Sequence, residues 1–91
     1  MGDTHKKITI KGRVQGVGFR FSAREHARKL GIKGYVKNLI NGDVEIIANG
    51  PEQNVQHYLQ WCREGPSHAY VDDMIVEDAE PNNYQTFDVK H

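Results

Sequence analysis

The chain has 91 residues, with twelve Lys and Arg, twelve Asp and Glu, five His and one Cys. A domain usually takes roughly 100 to 200 residues, so one domain over residues 1–91 with one modest core is predicted, which excludes an elaborate multi-site enzyme. No apolar run approaches the roughly 18 to 20 residues of a membrane span, and no signal-peptide core is present. We therefore expect a soluble cytoplasmic protein that contacts no membrane.

The net charge of zero hides a division between the two halves of the chain. Residues 1–45 hold ten Lys and Arg against four acids, whereas residues 46–91 hold two against eight. Either the charged residues simply lie on solvent-exposed faces of the fold, or the basic residues of the first half build an anion-binding site. One Cys and five scattered His offer no metal-ligand spacing, so no metal site is expected.

The first half of the chain predicts a strand followed by a helix. After a flexible N-terminus over residues 1–5, residues 7–14 alternate, with Ile8, Ile10 and Val14 on one face, as in a half-buried strand. Residues 19–30 carry apolar side chains at helical spacing, and Gly31 supplies a C-terminal stop.

The middle of the chain predicts a hairpin and a second helix. Residues 33–40 and 43–48 read as strands that flank Asn41-Gly42, the dipeptide most suited to a type I′ turn. Pro51 then opens a helix with an inward stripe of Val55, Leu59 and Cys62, which ends at Gly65-Pro66.

The last third predicts two further strands. Residues 70–78 contain two apolar phases, which a bulge near Asp72-Asp73 explains, and residues 84–89 form a short last strand. The order β-α-β-β-α-β plus a short C-terminal strand is that of an α+β, ferredoxin-like split β-α-β sandwich. Its two helices are expected on one face of a mainly antiparallel sheet.

A glycine-rich turn lies where the first strand enters the first helix, at Gln15-Gly16-Val17-Gly18. The first N–H groups of a helix have no internal partner, and glycines let several N–H groups point at one anion. The helix dipole adds positive charge there, and the guanidinium of Arg20 can hold two oxygens of a phosphate. The turn therefore indicates an anion site, or else a plain strand-to-helix turn with a surface Arg.

The segment Gly12-Arg13-Val14-Gln15-Gly16-Val17-Gly18-Phe19-Arg20 closely resembles the signature of the acylphosphatase family. Residues 34–38, Gly-Tyr-Val-Lys-Asn, are similar to a second motif of that family, and residues 41–45 continue it. The resemblance extends from about Lys7 to Val89. Family members commonly carry Trp, Arg and Thr where this chain has Tyr35, Lys37 and Leu39.

This resemblance implies a monomeric acylphosphatase that hydrolyses an acyl phosphate to a carboxylate and inorganic phosphate, with phosphate also acting as an inhibitor. It implies that Arg20 and Asn38 are catalytic, that Asn38 orients the attacking water, and that neither metal nor cofactor is used. The phosphate-binding residues that it implies are Gln15, Gly16, Val17, Gly18, Phe19 and Arg20. Lys11, Arg13 and Lys37 at the strand ends are expected to add attraction for anions.

Two other functions have the same topology. A catalytically silent phosphate-binding or acyl-phosphate-binding module is the main alternative, since acylphosphatase-like domains also occur inside larger maturation proteins. RNA-recognition domains share the element order, but their aromatic motif fails at Val36 and falls on the wrong strand, so no nucleic-acid partner is expected.

Residues at three other positions could carry chemistry but are predicted to have no functional role. Cys62 is predicted to be a core residue, Ser22 an exposed polar residue, and Asp72-Asp73 a solvated pair whose side chains face opposite ways.

Overall fold

The computed structural model describes residues 3–91 and contains five strands and two helices. The strands form one sheet in the order β4-β1-β3-β2-β5, antiparallel except for the parallel pair β2 and β5. This confirms the predicted ferredoxin-like α+β fold. The elements are β1 (Thr4–Arg13), α1 (Phe19–Lys29), β2 (Lys33–Asn38), β3 (Val44–Gly50), α2 (Glu52–Glu64), β4 (Tyr70–Asp78) and β5 (Phe87–Lys90).

The core lies between the sheet and the two helices. Alternate residues of β1, such as Ile8 and Ile10, are fully buried against the apolar faces of α1 and α2. Tyr58 of α2 is also fully buried, and its hydroxyl donates to the carbonyl oxygen of Ala23 on α1 at 2.9 Å. Apolar residues that recur at every second position in the strands and about every 3.6 positions in the helices thus pack together in one apolar layer. Neither described helix is long and apolar enough to cross a membrane.

Strand β1 begins earlier than the alternating pattern predicted. Thr4 and His5 pair with Gly50 and Asn49 of β3, so they belong to the sheet rather than to a flexible N-terminus. The remainder of that predicted segment, apart from Asp3, lies outside the described residues.

The predicted bulge in β4 is present. Lys11 pairs with Asp73 whereas Gly12 pairs with Val71, so Asp72 is an extra residue on β4. This insertion moves the strand from one alternation to the other, and Val71 and Met74 both pack against the core. The two apolar phases in the sequence therefore correspond to the parts of β4 before and after one bulge.

The hairpin between β2 and β3 is confirmed, but the predicted type I′ turn is wrong. Within residues 3–91, positive φ occurs only at glycines, so Asn41 lacks the left-handed conformation that a type I′ turn requires. The N–H of Leu39 donates to Asp43 O at 2.8 Å, that of Gly42 donates to Leu39 O at 3.2 Å, and φ of Gly42 is 99°. These bonds define a three-residue loop over residues 40–42 with glycine last. The loop is also stabilised locally, because Asn41 Oδ1 accepts a hydrogen bond from the N–H of Asp43 at 3.0 Å.

The sheet order decides which ends of the elements meet. Both β1 and β2 run antiparallel to β3, so they are parallel to each other and end at the same edge of the sheet. Because α1 follows β1 after a short turn, its N-terminus lies at that edge, beside Asn38 at the end of β2. The fold thus brings together the two segments that carry the sequence motifs.

Candidate active site

The turn between β1 and α1 has the backbone shape expected of an anion cradle. Gly16 and Gly18 have φ of 75° and 79°, whereas Val17 between them does not have positive φ. Such alternation curls the chain so that successive N–H groups point to one side. A Cβ added at either glycine would meet nothing within 4 Å, so the space above the turn is open.

The N-terminus of α1 adds to this positive character. Gly18 is its N-cap, no side chain caps it, and the first turn holds no acidic residue. The first-turn N–H groups and the positive end of the helix dipole are therefore unopposed by a local carboxylate.

A cavity of about 210 Å³ lies at this turn. It brings together the glycines of the turn with the two residues that the motif resemblance marks as catalytic, Arg20 and Asn38. Its wall is formed by Gly16, Gly18, Arg20 and Asn38 together with the apolar Val14, Phe19 and Phe21.

Arg20 reaches the cavity from the first turn of α1 and is partly buried. Its Nη1 donates to Lys90 O at 3.3 Å and lies 3.3 Å from Nδ1 of His91. The sequence did not predict these contacts. They follow from the parallel pairing of β5 with β2, which places Lys90 opposite Lys37, the residue before Asn38.

Asn38 extends the face of β2 that carries the buried Val36, so its side chain lies on the helix side of the sheet. Its Oδ1 is buried and has no hydrogen-bond partner within residues 3–91. A buried polar atom without a partner costs stability unless a water or a ligand satisfies it. A half-turn about χ2 exchanges amide oxygen and nitrogen, so the Asn38 amide can offer the cavity an acceptor or a donor.

The side chain of Gln15 makes its hydrogen bonds outside the cavity. Its side-chain Nε2 donates to Leu39 O and to Asp43 O, both at 2.8 Å, and neither Gln15 nor Val17 lines the cavity. The Gln15 amide therefore ties the glycine turn to the neck of the hairpin, one residue from Asn38. These two side-chain bonds are not predictable from the sequence, and they leave the backbone N–H of Gln15 as the group that can serve the predicted phosphate site.

A second tie joins β1 to the same hairpin. The ammonium group of Lys11 lies 2.7 Å from Asp43 Oδ2, which also accepts from Asn41 Nδ2 at 3.2 Å. Asp43 is almost buried, with 9% of its surface exposed. Lys37 is likewise 3.6 Å from Glu45. These carboxylates offset Lys11 and Lys37, which were expected to attract anions. Arg13, the third such residue, lines a different cavity beside His68 and Tyr70. Within residues 3–91, Arg20 is thus the one cationic residue that lines the cavity at the glycine turn.

The other notable positions lie apart from the cavity. Cys62 is fully buried in the core, where burial raises the pKa of its thiol, so it is no nucleophile at neutral pH. Asp72 and Asp73 are exposed around the bulge, as predicted, and Ser22 is partly buried rather than exposed.

We expect the change Gln15→Met to loosen the hairpin while keeping the volume of the side chain. Two hydrogen bonds are lost, each worth about 0.5 to 1.5 kcal/mol, so the free energy of unfolding in urea should fall by about 1 to 3 kcal/mol. Turnover should fall several-fold because Asn38 is no longer held at a fixed distance from the turn. The change Gln56→Met on the exposed face of α2 is the matched control and should alter neither quantity. Unchanged stability and turnover in Gln15→Met would show that the two hydrogen bonds of Gln15 contribute neither to folding nor to activity.

The fold and the cavity together define a class of protein: a ferredoxin-like α+β domain in which an open glycine turn, an arginine and an asparagine surround one cavity at the start of the first helix. The profile of the acylphosphatase family matches residues 6–89. The chain belongs to the acylphosphatase family.

Individual relatives agree with this assignment. An acylphosphatase of Aeromonas salmonicida is 48% identical over 81 residues, covering 89% of this chain and 90% of the relative. The solved structure of an acylphosphatase from Coxiella burnetii is 38% identical with a TM-score of 0.93, covering 98% of this chain and 94% of that one.

A larger protein contains a similar domain. The structure of full-length HypF in its phosphate- and nucleotide-bound form matches with a TM-score of 0.88 and 28% identity. The match covers 98% of this chain but only 12% of HypF. The same fold thus also occurs as a small part of a much longer chain.

Proposed function

We propose that this chain is a monomeric, metal-independent acylphosphatase whose turn over residues 15–20 and Arg20 hold the phosphoryl group while Asn38 orients the attacking water. The observation that carries the proposal is the meeting of the open glycine turn, Arg20 and Asn38 in one cavity of about 210 Å³. A cytoplasmic location fits the buried, unpaired Cys62.

The chemistry needs no general acid. An acyl phosphate is a mixed anhydride, and its leaving group is a carboxylate whose conjugate acid has a pKa of about 4 to 4.5. Such a group departs without being protonated. Catalysis then depends on positioning and on neutralising charge at the phosphoryl oxygens, which backbone N–H groups and Arg20 supply.

The steps balance as follows. The oxygen of a water molecule attacks phosphorus, and the bond between phosphorus and the acyl oxygen breaks with its electron pair going to the carboxylate. One proton of the water passes to a phosphoryl oxygen, so an acyl phosphate dianion and water give a carboxylate and dihydrogen phosphate. The Asn38 amide is far too weak a base to take the proton, but it can aim the water.

The direct test is release of inorganic phosphate from acetyl phosphate by the purified chain in the presence of EDTA. We expect turnover that EDTA does not reduce and that added inorganic phosphate inhibits competitively, because product and substrate share the cradle. A strict requirement for a divalent metal would contradict the mechanism. Phosphate binding without turnover would favour the alternative suggested by the HypF similarity, a silent phosphate-binding module.

A further inference from the structure

Phe21 is an exposed aromatic residue in the wall of the active-site cavity. It is 58% exposed, and it borders the same cavity as Arg20 and Asn38. Single exposed apolar residues are common on protein surfaces, so the exposure of Phe21 alone indicates no role. Its position relative to the reacting groups is what matters.

The helix places Phe21 on the side of the cavity away from the sheet. Phe19, Ala23 and Ala27 are the buried residues of α1, so this face of the helix points to the sheet. Each helical residue advances by about 100°, which puts Phe21 about 200° from Phe19. Phe21 therefore projects outward, whereas Asn38 projects from the sheet toward the helix.

Phosphoryl transfer sets the direction in which the acyl group leaves. The attacking and leaving oxygens lie roughly in line through phosphorus. A water held by Asn38 attacks from the sheet side, so the acyl oxygen departs on the outer side. That is the side on which Phe21 forms the rim.

The ring of Phe21 is held from outside the cavity. The guanidinium carbon of Arg24, one turn further along α1, lies 5.2 Å from the ring centroid. This is the distance of a cation–π contact, which restrains the ring and covers part of its surface. The part of the ring that borders the cavity stays available to a substrate.

We propose that Phe21 is the acyl-recognition residue of this site and that it makes the enzyme favour acyl phosphates with an aromatic or other bulky apolar acyl group over those with a small one. This inference rests on the proposed function. The ring offers an apolar, polarisable surface where the acyl group emerges from the cradle, and stacking or apolar contact there lowers the free energy of the bound substrate and transition state.

The experiment compares kcat/KM for benzoyl phosphate and for acetyl phosphate in wild type and Phe21→Ala. We expect wild type to favour benzoyl phosphate, and we expect Phe21→Ala to reduce that preference by about tenfold, mainly through KM for benzoyl phosphate. The change Phe21→Tyr keeps the ring and should keep the preference. The change Ile75→Ala removes an exposed apolar side chain from β4 that does not line the cavity, and it should leave the preference unchanged.

The inhibition constant of inorganic phosphate separates an effect on the acyl group from damage to the cradle, and it should be the same in Phe21→Ala and wild type. An unchanged benzoyl-to-acetyl preference in Phe21→Ala would overturn the inference while leaving the proposed function intact. Absence of turnover of both substrates in wild type would instead overturn the proposed function, and the inference with it.

Discussion

Replacing Arg20 with Gln should reduce kcat/KM for acetyl phosphate by at least about a hundredfold. Loss of one hydrogen-bond donor to a transition state typically costs about 10² to 10³ in rate, and an arginine that neutralises a transferring phosphoryl group is worth about 10³ to 10⁵. Arg20 is the one cationic residue that lines the cavity within residues 3–91, and Lys11 and Lys37 lie against carboxylates. The inhibition constant of inorganic phosphate should rise as well, since the ground-state anion loses the same partner.

Arg28→Gln is the matched control for this experiment. Arg28 lies on the same helix, and its Nη2 also donates to a backbone carbonyl of β5, that of Phe87 at 3.2 Å, but it does not line the active-site cavity. The Arg28→Gln variant should keep full turnover. A defect found only in Arg20→Gln therefore cannot come from a general loss of positive charge on α1. Arg20→Lys should fall between wild type and Arg20→Gln, because an ammonium keeps the charge but not the planar fork. Turnover within threefold of wild type in Arg20→Gln would contradict the assigned role.

The local charge at the site differs from what the composition suggests. The first half of the chain has an excess of basic residues, yet Lys11 and Lys37 at the strand ends are paired with Asp43 and Glu45. What remains at the cavity is the guanidinium of Arg20, the turn N–H groups and the helix dipole. Attraction for the substrate is therefore local, with a contribution from peptide groups that no count of charged side chains can reveal.

The arrangement of the elements was predictable because local signals agreed with one another. Alternation along β1 and helical spacing in α1 follow from which faces are buried, and glycines mark the ends. The bulge in β4 was visible as a change of phase around Asp72. The turn type of the hairpin was not, because the bond from the Asp43 N–H to the Asn41 side chain competes with the left-handed conformation that the dipeptide favours.

The candidate site was predictable only in part. Gly16, Gly18 and Arg20 lie close together in the chain, so sequence alone places them near one another, whereas Asn38 joins them only because β1 and β2 are parallel. The contacts of Arg20 with Lys90 and His91 depend on where β5 pairs. The bonds of Gln15 depend on where the hairpin lies next to the glycine turn. Side-chain partners of this kind are set by tertiary geometry, and no period in the sequence encodes them.

Replacing Asn38 with Ala should abolish most turnover while leaving phosphate binding and folding intact. Without the amide, water beside phosphorus is no longer oriented for in-line attack, and loss of such positioning can cost about a hundredfold in kcat. The inhibition constant of inorganic phosphate should stay within twofold, because Arg20 and the turn remain. Asn38 Oδ1 has no partner within residues 3–91, so its removal relieves a buried unsatisfied oxygen. We therefore expect Asn38→Ala to be at least as stable as wild type in urea.

Asn54→Ala supplies the opposite pattern and so makes the test specific. Nδ2 of Asn54 donates to Leu30 O at 2.8 Å, which ties α2 to the end of α1 outside the cavity. Its replacement should lower the free energy of unfolding by about 1 kcal/mol and leave kcat unchanged. Replacing an amide that only supports packing should lower the stability of the protein and leave its turnover unchanged, as expected for Asn54. Replacing an amide that takes part in the chemistry should lower turnover and leave stability unchanged. If Asn38→Ala retained full turnover, or lost stability in proportion to activity, orientation of water by Asn38 would be refuted and the role of the residue would be structural.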